Sequence, residues 1–330
     1  MFFAQMISMI GFSSVFPFLP LYVKSLGTVT SMSVELCVGL VFSGQAFSMM
    51  IASPVWGSLA DRWGRKVMVE RAMFGGAIII SIMAFVRSGE ELVVLRMIQG
   101  LITGVMGATN ALVAGAVPRG KTGYAMGLMQ VGMGIGLGLG PVIGGLVADA
   151  YGYQAAFFIT AALLAIAGVV VMFGVDEQFV PRESADKKRL NFFDAWQRVL
   201  TSHGVRLVYL LRFINQTGRI IFIPILPVFI MSLIDNPGRV NSFTGIVLGA
   251  SSAATALFSI FLGRVGDRMG HRTIVILCLL CSFAAFFLQS LVSAGWQLLV
   301  LQMCYGISLG GTVTGISALL ADFTQQGDEG

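Results

Sequence analysis

The chain has 330 residues, of which 56% are hydrophobic and only 11% charged, and its mean hydropathy is +0.86. Soluble domains carry roughly 25% charged residues, so this composition cannot coat a water-facing surface and excludes an ordinary soluble fold. The net charge of +5 does not point to nucleic acid either, because the lysines and arginines are scattered through short gaps between apolar runs and form no single basic face.

In chain order, ten apolar runs are long enough to cross about 30 Å of hydrocarbon as helices. They cover residues 3–24, 37–59, 67–87, 91–114, 123–147, 155–174, 206–231, 243–263, 273–292 and 297–321. The one long polar stretch, 176–203, contains Asp186-Lys187-Lys188-Arg189. It reads as a charged hinge, with an amphipathic surface helix around Phe192, Phe193 and Trp196 as the alternative. Cations crowd alternate gaps: Arg62, Arg65, Lys66 and Arg71; Arg119 and Lys121; Arg182 to Arg206; Arg264, Arg268 and Arg272. The opposite set holds only Lys24, Arg87 and Arg239. The rich set is therefore expected in the cytoplasm of a cell membrane, as are the termini of the complete protein. Cys37, Cys278, Cys281 and Cys304 lie inside apolar runs with no ligand neighbours, so neither a metal nor a redox site is expected.

The runs repeat. Gly57-Ser58-Leu59-Ala60-Asp61-Arg62-Trp63-Gly64-Arg65-Lys66 returns 206 residues later as Gly263-Arg264-Val265-Gly266-Asp267-Arg268-Met269-Gly270-His271-Arg272. At the same shift Leu95-Arg96-Met97 meets Leu301-Gln302-Met303, and Gly100 meets Gly306. One residue further, Pro17 and Pro20 fall on Pro224 and Pro227. Spans one to four thus recur as spans seven to ten, in parallel topology. The expected organisation is an all-α membrane protein with a six-helix bundle over 1–175, a cytoplasmic linker over 176–204, and a second bundle over 205–330 with four of six helices. On this reading the sequence is a fragment, without its last two spans and its extreme N-terminus.

Two six-span halves with this loop resemble the major facilitator superfamily. Gly57 to Lys66 matches the family's loop pattern G-x-L-a-D-r-x-G-r-k, and Arg96-x-x-Gln99-Gly100 its span-four pattern R-x-x-q-G. Gly127, Gly136, Gly140, Pro141, Gly144 and Gly145 fit G-x8-G-x3-G-P-x2-G-G, which is similar to the antiporter motif of drug:proton exporters; the alternative is helix packing alone. Pro17-Phe18-Leu19-Pro20-Leu21-Tyr22 also resembles the first span of twelve-span multidrug exporters. The resemblance implies a substrate cavity between the halves, lined by spans one, four, seven and ten.

Polar residues fall on those spans. Arg96, Gln99, Thr103 and Asn110 form one helical stripe; span seven carries Arg212, Asn215, Gln216 and Arg219; span one offers Gln5 and Ser8, and span ten Gln302 and Tyr305. A polar stripe facing lipid is costly, so each should face a cavity or a partner helix. Arg96 is expected to serve proton coupling or core hydrogen bonding, and Arg212 with Arg219 to meet an anionic group. In the loop motif, Gly57 permits close packing, Asp61 is expected at a helix start and paired with Arg65 or a cation, and Gly263, Asp267 and Arg268 repeat the device. No span has a carboxylate at mid-depth, which leaves the site of proton coupling open. The leading expectation is a monomeric exporter of small amphipathic or drug-like compounds, working by alternating access with inward proton flow. The rivals are a uniporter or symporter for sugars or organic anions, and a non-transporting sensor or scaffold. No loop carries a nucleophile–base pair or ligand cluster, so neither an enzyme nor a cofactor is expected.

Overall fold

The computed structural model describes residues 1–103, 106–118, 121–177, 203–234 and 236–323. Among them the regular structure is all helical: α1 (Phe2–Ser14), α2 (Leu19–Leu26), α3 (Val34–Trp63), α4 (Arg65–Met83), α5 (Gly89–Ile102), α6 (Met106–Ala116), α7 (Thr122–Gly174), α8 (His203–Leu233), α9 (Val240–Met269), α10 (His271–Gln289) and α11 (Gly295–Phe323). Seven candidate spans among the described residues are long and apolar enough to cross a membrane. The 53-residue α7 among them bends at Gly152, whose φ of +85° turns it into two helices. Arg119 and the central linker, 178–202, lie outside the described residues.

Two expected helices are broken, each for a local reason. The first run splits into α1 and α2 around residues 15–18, because Pro17 lacks an N–H and Pro20 leaves the Phe16 carbonyl without its usual donor. The fourth run is not one helix: α5 ends at Ile102, Thr103 takes an extended conformation (ψ 160°), and α6 starts at Met106. The Thr103 N–H and hydroxyl both donate to the Gln99 carbonyl, at 2.8 and 2.7 Å, which closes the last turn of α5 on Thr103. The stripe from Arg96 to Asn110 is thereby corrected, since Asn110 sits on α6 and inherits no register from α5.

The chain forms two compact units, Met1–Arg182 with Pro224–Gly249, and Glu183–Ile223 with Ala250–Gly330. In the first, small residues let backbones touch. Side chains at Gly132, Gly136, Gly140 and Gly144 of α7 would strike Phe2, Met9, Ser13 and Ser14 of α1. An aromatic cluster closes one end of this unit: Phe157 lies 5.2 Å from both Phe18 and Tyr22, and Tyr22 lies 5.2 Å from Tyr153. In the second unit, Val208 of α8 packs with Val275 and Ile316, and Ala285 and Phe286 of α10 with Tyr305 and Leu309 of α11.

The two sequence copies also make the same local contacts. Gly64 (φ +96°) and Gly270 (φ +89°) separate α3 from α4 and α9 from α10. Only glycine tolerates that backbone conformation at little cost. The helices α5 and α11 begin alike: Glu91 accepts from the Arg87 N–H at 2.8 Å and Gln297 from the Ser293 N–H at 3.0 Å, each pair again 206 residues apart.

Candidate functional site

The loop motif is built by the start of α4. The first N–H groups of a helix have no partners of their own, and here the Glu177 carboxylate supplies them, accepting from Arg65 N at 3.0 Å and Lys66 N at 2.8 Å. Lys66 also donates to the Met172 carbonyl at 2.8 Å and lies 3.8 Å from Glu70, while Arg65 donates to the Ala111 carbonyl of α6. Asp61 had been expected to fill the capping role and to pair with Arg65. It is instead exposed in the last turn of α3 and makes no ion pair among the described residues. The acid that caps α4 comes from 112 residues downstream, where α7 ends. Gly57 and Gly263 have open space where a side chain would project, so close packing does not explain them. Arg62, Asp267 and Arg268 are exposed; Asp267 lies 3.3 Å from His271, which stands where the first copy has Arg65.

Arg96 is 2% exposed on α5, and its Nη1 donates to the Gln45 and Gln99 side-chain oxygens at 2.9 and 3.1 Å. Gly100 lets this cluster form, because any side chain there would collide with the Gln45 backbone carbonyl on α3. The Nε and Nη2 groups of Arg96 are buried without a partner among the described residues, an arrangement that is costly for a cation. The second copy keeps the glycine contact but neither the charge nor the hydrogen-bond partner. Gln302 stands at the position of Arg96 and accepts from Gln289 Nε2 at 2.9 Å, and Gly306 presses on the Ser251 carbonyl of α9.

The six glycine-motif residues divide by face. Gly136, Gly140 and Gly144 face α1, Gly145 meets the Asn241 carbonyl of α9, the Pro141 carbonyl meets Gly245, and Gly127 has open space. Close packing therefore accounts for five of the six. Of the other polar residues, Gln5 is 8% exposed on α1, Asn110 and Arg212 are exposed, and Asn215 is half-buried. Arg219 is within electrostatic reach of Tyr305. Tyr305 ends an aromatic row, 4.7 Å from Phe286, which is 5.3 Å from Phe222. Sequence reasoning missed Phe222, Phe286, Gln45 and Glu177; only Gln45, a polar residue within an apolar run, carried a signal. Among the described residues no group of three His, Cys, Asp or Glu side chains gathers to hold a metal.

These features define a multi-pass membrane protein, all helical among the described residues, with a repeated helical pattern. The model of the Major Facilitator Superfamily matches residues 1–211 and 208–330, and the chain belongs to that family. It is 35% identical over 310 residues to the multidrug resistance protein MdtG of Salmonella newport (strain SL254), covering 94% of this chain and 76% of the relative. The same values hold for MdtG of Salmonella arizonae. Among solved structures, a point mutant of the nucleoside transporter NupG superposes with a TM-score of 0.75 at 15% identity, over 97% of this chain and 86% of that one. An inward-facing, unoccupied bacterial homolog of the human lysosomal transporter Spinster gives 0.68 at 14% identity, over 98% and 77%. At such identities these structures speak for the fold alone.

Proposed function

We propose that this protein exports small amphipathic, drug-like molecules across the cell membrane by alternating access, acting as a monomer and driven by inward proton flow. The observation that carries the reading is the 35% identity to MdtG across 94% of the chain. The glycine pattern of span five supports the antiport sense. The cation-rich loops face the cytoplasm in this reading, so the ends of α7's first segment and of α9 that carry Asp149 and Asn241 face outward. The Gly57–Lys66 loop and its copy at Gly263 and Asp267 act as inner hinges, and residues 1–175 and 205–330 as the repeated bundles joined by 176–204.

Arg96, Gln99 and Gly100 hold the core of the first bundle, where a buried cation with free donors would favour an approaching negative charge. Substrate contacts come from Gln5, Asn110, Arg212, Asn215, Arg219 and Tyr305, with Gln302 supporting them through Gln289. The test is dye accumulation in bacteria stripped of their own efflux pumps. Expression should lower accumulation, and a protonophore should restore it. Lowered accumulation that ignores the protonophore would favour a uniporter, and unchanged accumulation a sensor or scaffold.

A further inference from the structure

On α8, Arg212, Asn215, Arg219 and Phe222 share one helical face, which passes from exposed at Arg212 to half-buried from Asn215 onward. Within the second unit this face ends on an aromatic row. Phe222 lies 5.3 Å from Phe286 of α10, and Phe286 lies 4.7 Å from Tyr305 of α11. One turn along from Phe286 and Tyr305 come Gln289 and Gln302, both buried and joined by the 2.9 Å bond from Gln289 Nε2. The Gln289 Oε1 is buried with no donor among the described residues. Arg219, one turn from Phe222, is within electrostatic reach of Tyr305 and forms no ion pair among the described residues.

Packing alone does not call for these residues. The first copy holds Ile80 and Met83 at the positions of Phe286 and Gln289, 206 residues earlier, and both lie in an apolar core. The second copy thus sets a ring and an amide where hydrocarbon suffices. A cation inside a span is costly without a counter-charge, and so is a buried acceptor without a donor. An anion would satisfy Arg219, and an N–H or O–H would satisfy Gln289 Oε1. Phe222 and Phe286 keep part of their surface uncovered, where a flat ring can pack against them. Small-molecule sites have this make-up, mostly apolar with a few polar groups that fix orientation.

We propose that α8, α10 and α11 form a subsite for flat aromatic anions that also carry a hydroxyl or amine. The proposal rests on the export reading above and narrows its substrate class. The rings of Phe222, Phe286 and Tyr305 take the aromatic body. The Arg219 guanidinium takes the anionic group through charge-assisted hydrogen bonds, and Gln289 accepts from the hydroxyl or amine. Gln302 fixes the Gln289 amide through the bond they share. Arg212, exposed about two turns before Arg219, draws the anion along the same face. Binding makes and breaks no covalent bond.

The test uses fluorescent naphthalenes on the purified full chain in detergent, read by fluorescence polarisation. The first is an aminonaphthalenesulfonate; its dimethylamino analogue lacks the N–H donors, and its sulfonamide analogue lacks the anionic charge. The parent should bind the first about tenfold more tightly than either analogue. Arg219→Gln should erase the preference over the sulfonamide, and Arg219→Lys should restore much of it. Gln289→Leu should erase the preference over the dimethylamino compound while the melting temperature holds or rises, since it returns the position to apolar core. A parent that does not discriminate among these compounds overturns the proposal, as do variants that lose all of them alike. Should one variant fail to fold, the parent and the other variant still decide. Efflux from vesicles separates the subsite from the reading it rests on. Binding in the stated pattern with no efflux of any dye removes the export reading alone. Proton-driven efflux of a cationic dye, with no binding of the naphthalenes, removes the subsite alone.

Discussion

Gly100 and Gly306 lie 206 residues apart and do the same work: one brings α5 onto the Gln45 carbonyl of α3, the other brings α11 onto the Ser251 carbonyl of α9. Gln45 and Ser251 are themselves 206 residues apart. The repeat is therefore a repeat of contacts as well as of letters.

Adding a methyl group at either glycine forces two backbones apart. Gly100→Ala and Gly306→Ala should each cost about 1–3 kcal/mol, read as a fall in melting temperature in detergent. Gly57→Ala and Gly263→Ala, where space is open, should leave it unchanged. Equal losses at all four positions would contradict the contact argument.

Removing Gln45 strips the buried Arg96 of one acceptor while leaving Gln99. Gln45→Leu should destabilise by about 1–3 kcal/mol, the cost of a buried group left unsatisfied, and should slow transport. Gln45→Glu should instead bind the cation more tightly and raise thermal stability. A neutral outcome for both would show that the Arg96 cluster carries little weight.

Glu177→Ala removes the cap of α4 and should cost about 1 kcal/mol, seen as faster hydrogen exchange at the Arg65 and Lys66 amides. Asp61→Asn should leave those amides as they are. The reverse pattern would return the capping role to Asp61.

Glu90 gives a pH prediction. The backbone N–H of Thr30 above all, with further hydrogen bonds at Glu90 and from the Thr30 and Ser88 side chains, pulls its carboxyl from an ordinary 4.5 down to about 2, against a smaller opposing effect of burial. A depressed folded value means the stabilisation is full above the unfolded value and fades as pH falls from about 4.5 towards about 2. The parent should melt above Glu90→Gln at neutral pH, and the gap should narrow through that window. A gap that widens on acidification would give the wrong sign.

Much of the architecture was legible because membrane helices and repeats write themselves in composition: the apolar runs, the repeated loop motif that carries Gly64 and Gly270, and the parallel copies need no long-range knowledge. The partners were not legible. Glu177 caps a helix 112 residues away and Gln45 meets Arg96 across 51, and nothing local marks either pairing. The break after Ile102 was missed because the hydrophobic run continues through it. The chemistry of Thr103 followed by Gly104 was the available sign. The glycines of span five were visible, but which faced α1 and which faced α9 depended on a fold that sequence spacing does not provide.

The measurement closest to the central claim is solute flux through the purified chain in proteoliposomes under an imposed pH gradient. A drug-like dye should move opposite to the protons, against its own gradient, and stop when a protonophore collapses the pH difference. Dye that binds without crossing, or crosses at a rate blind to the gradient, would contradict the account.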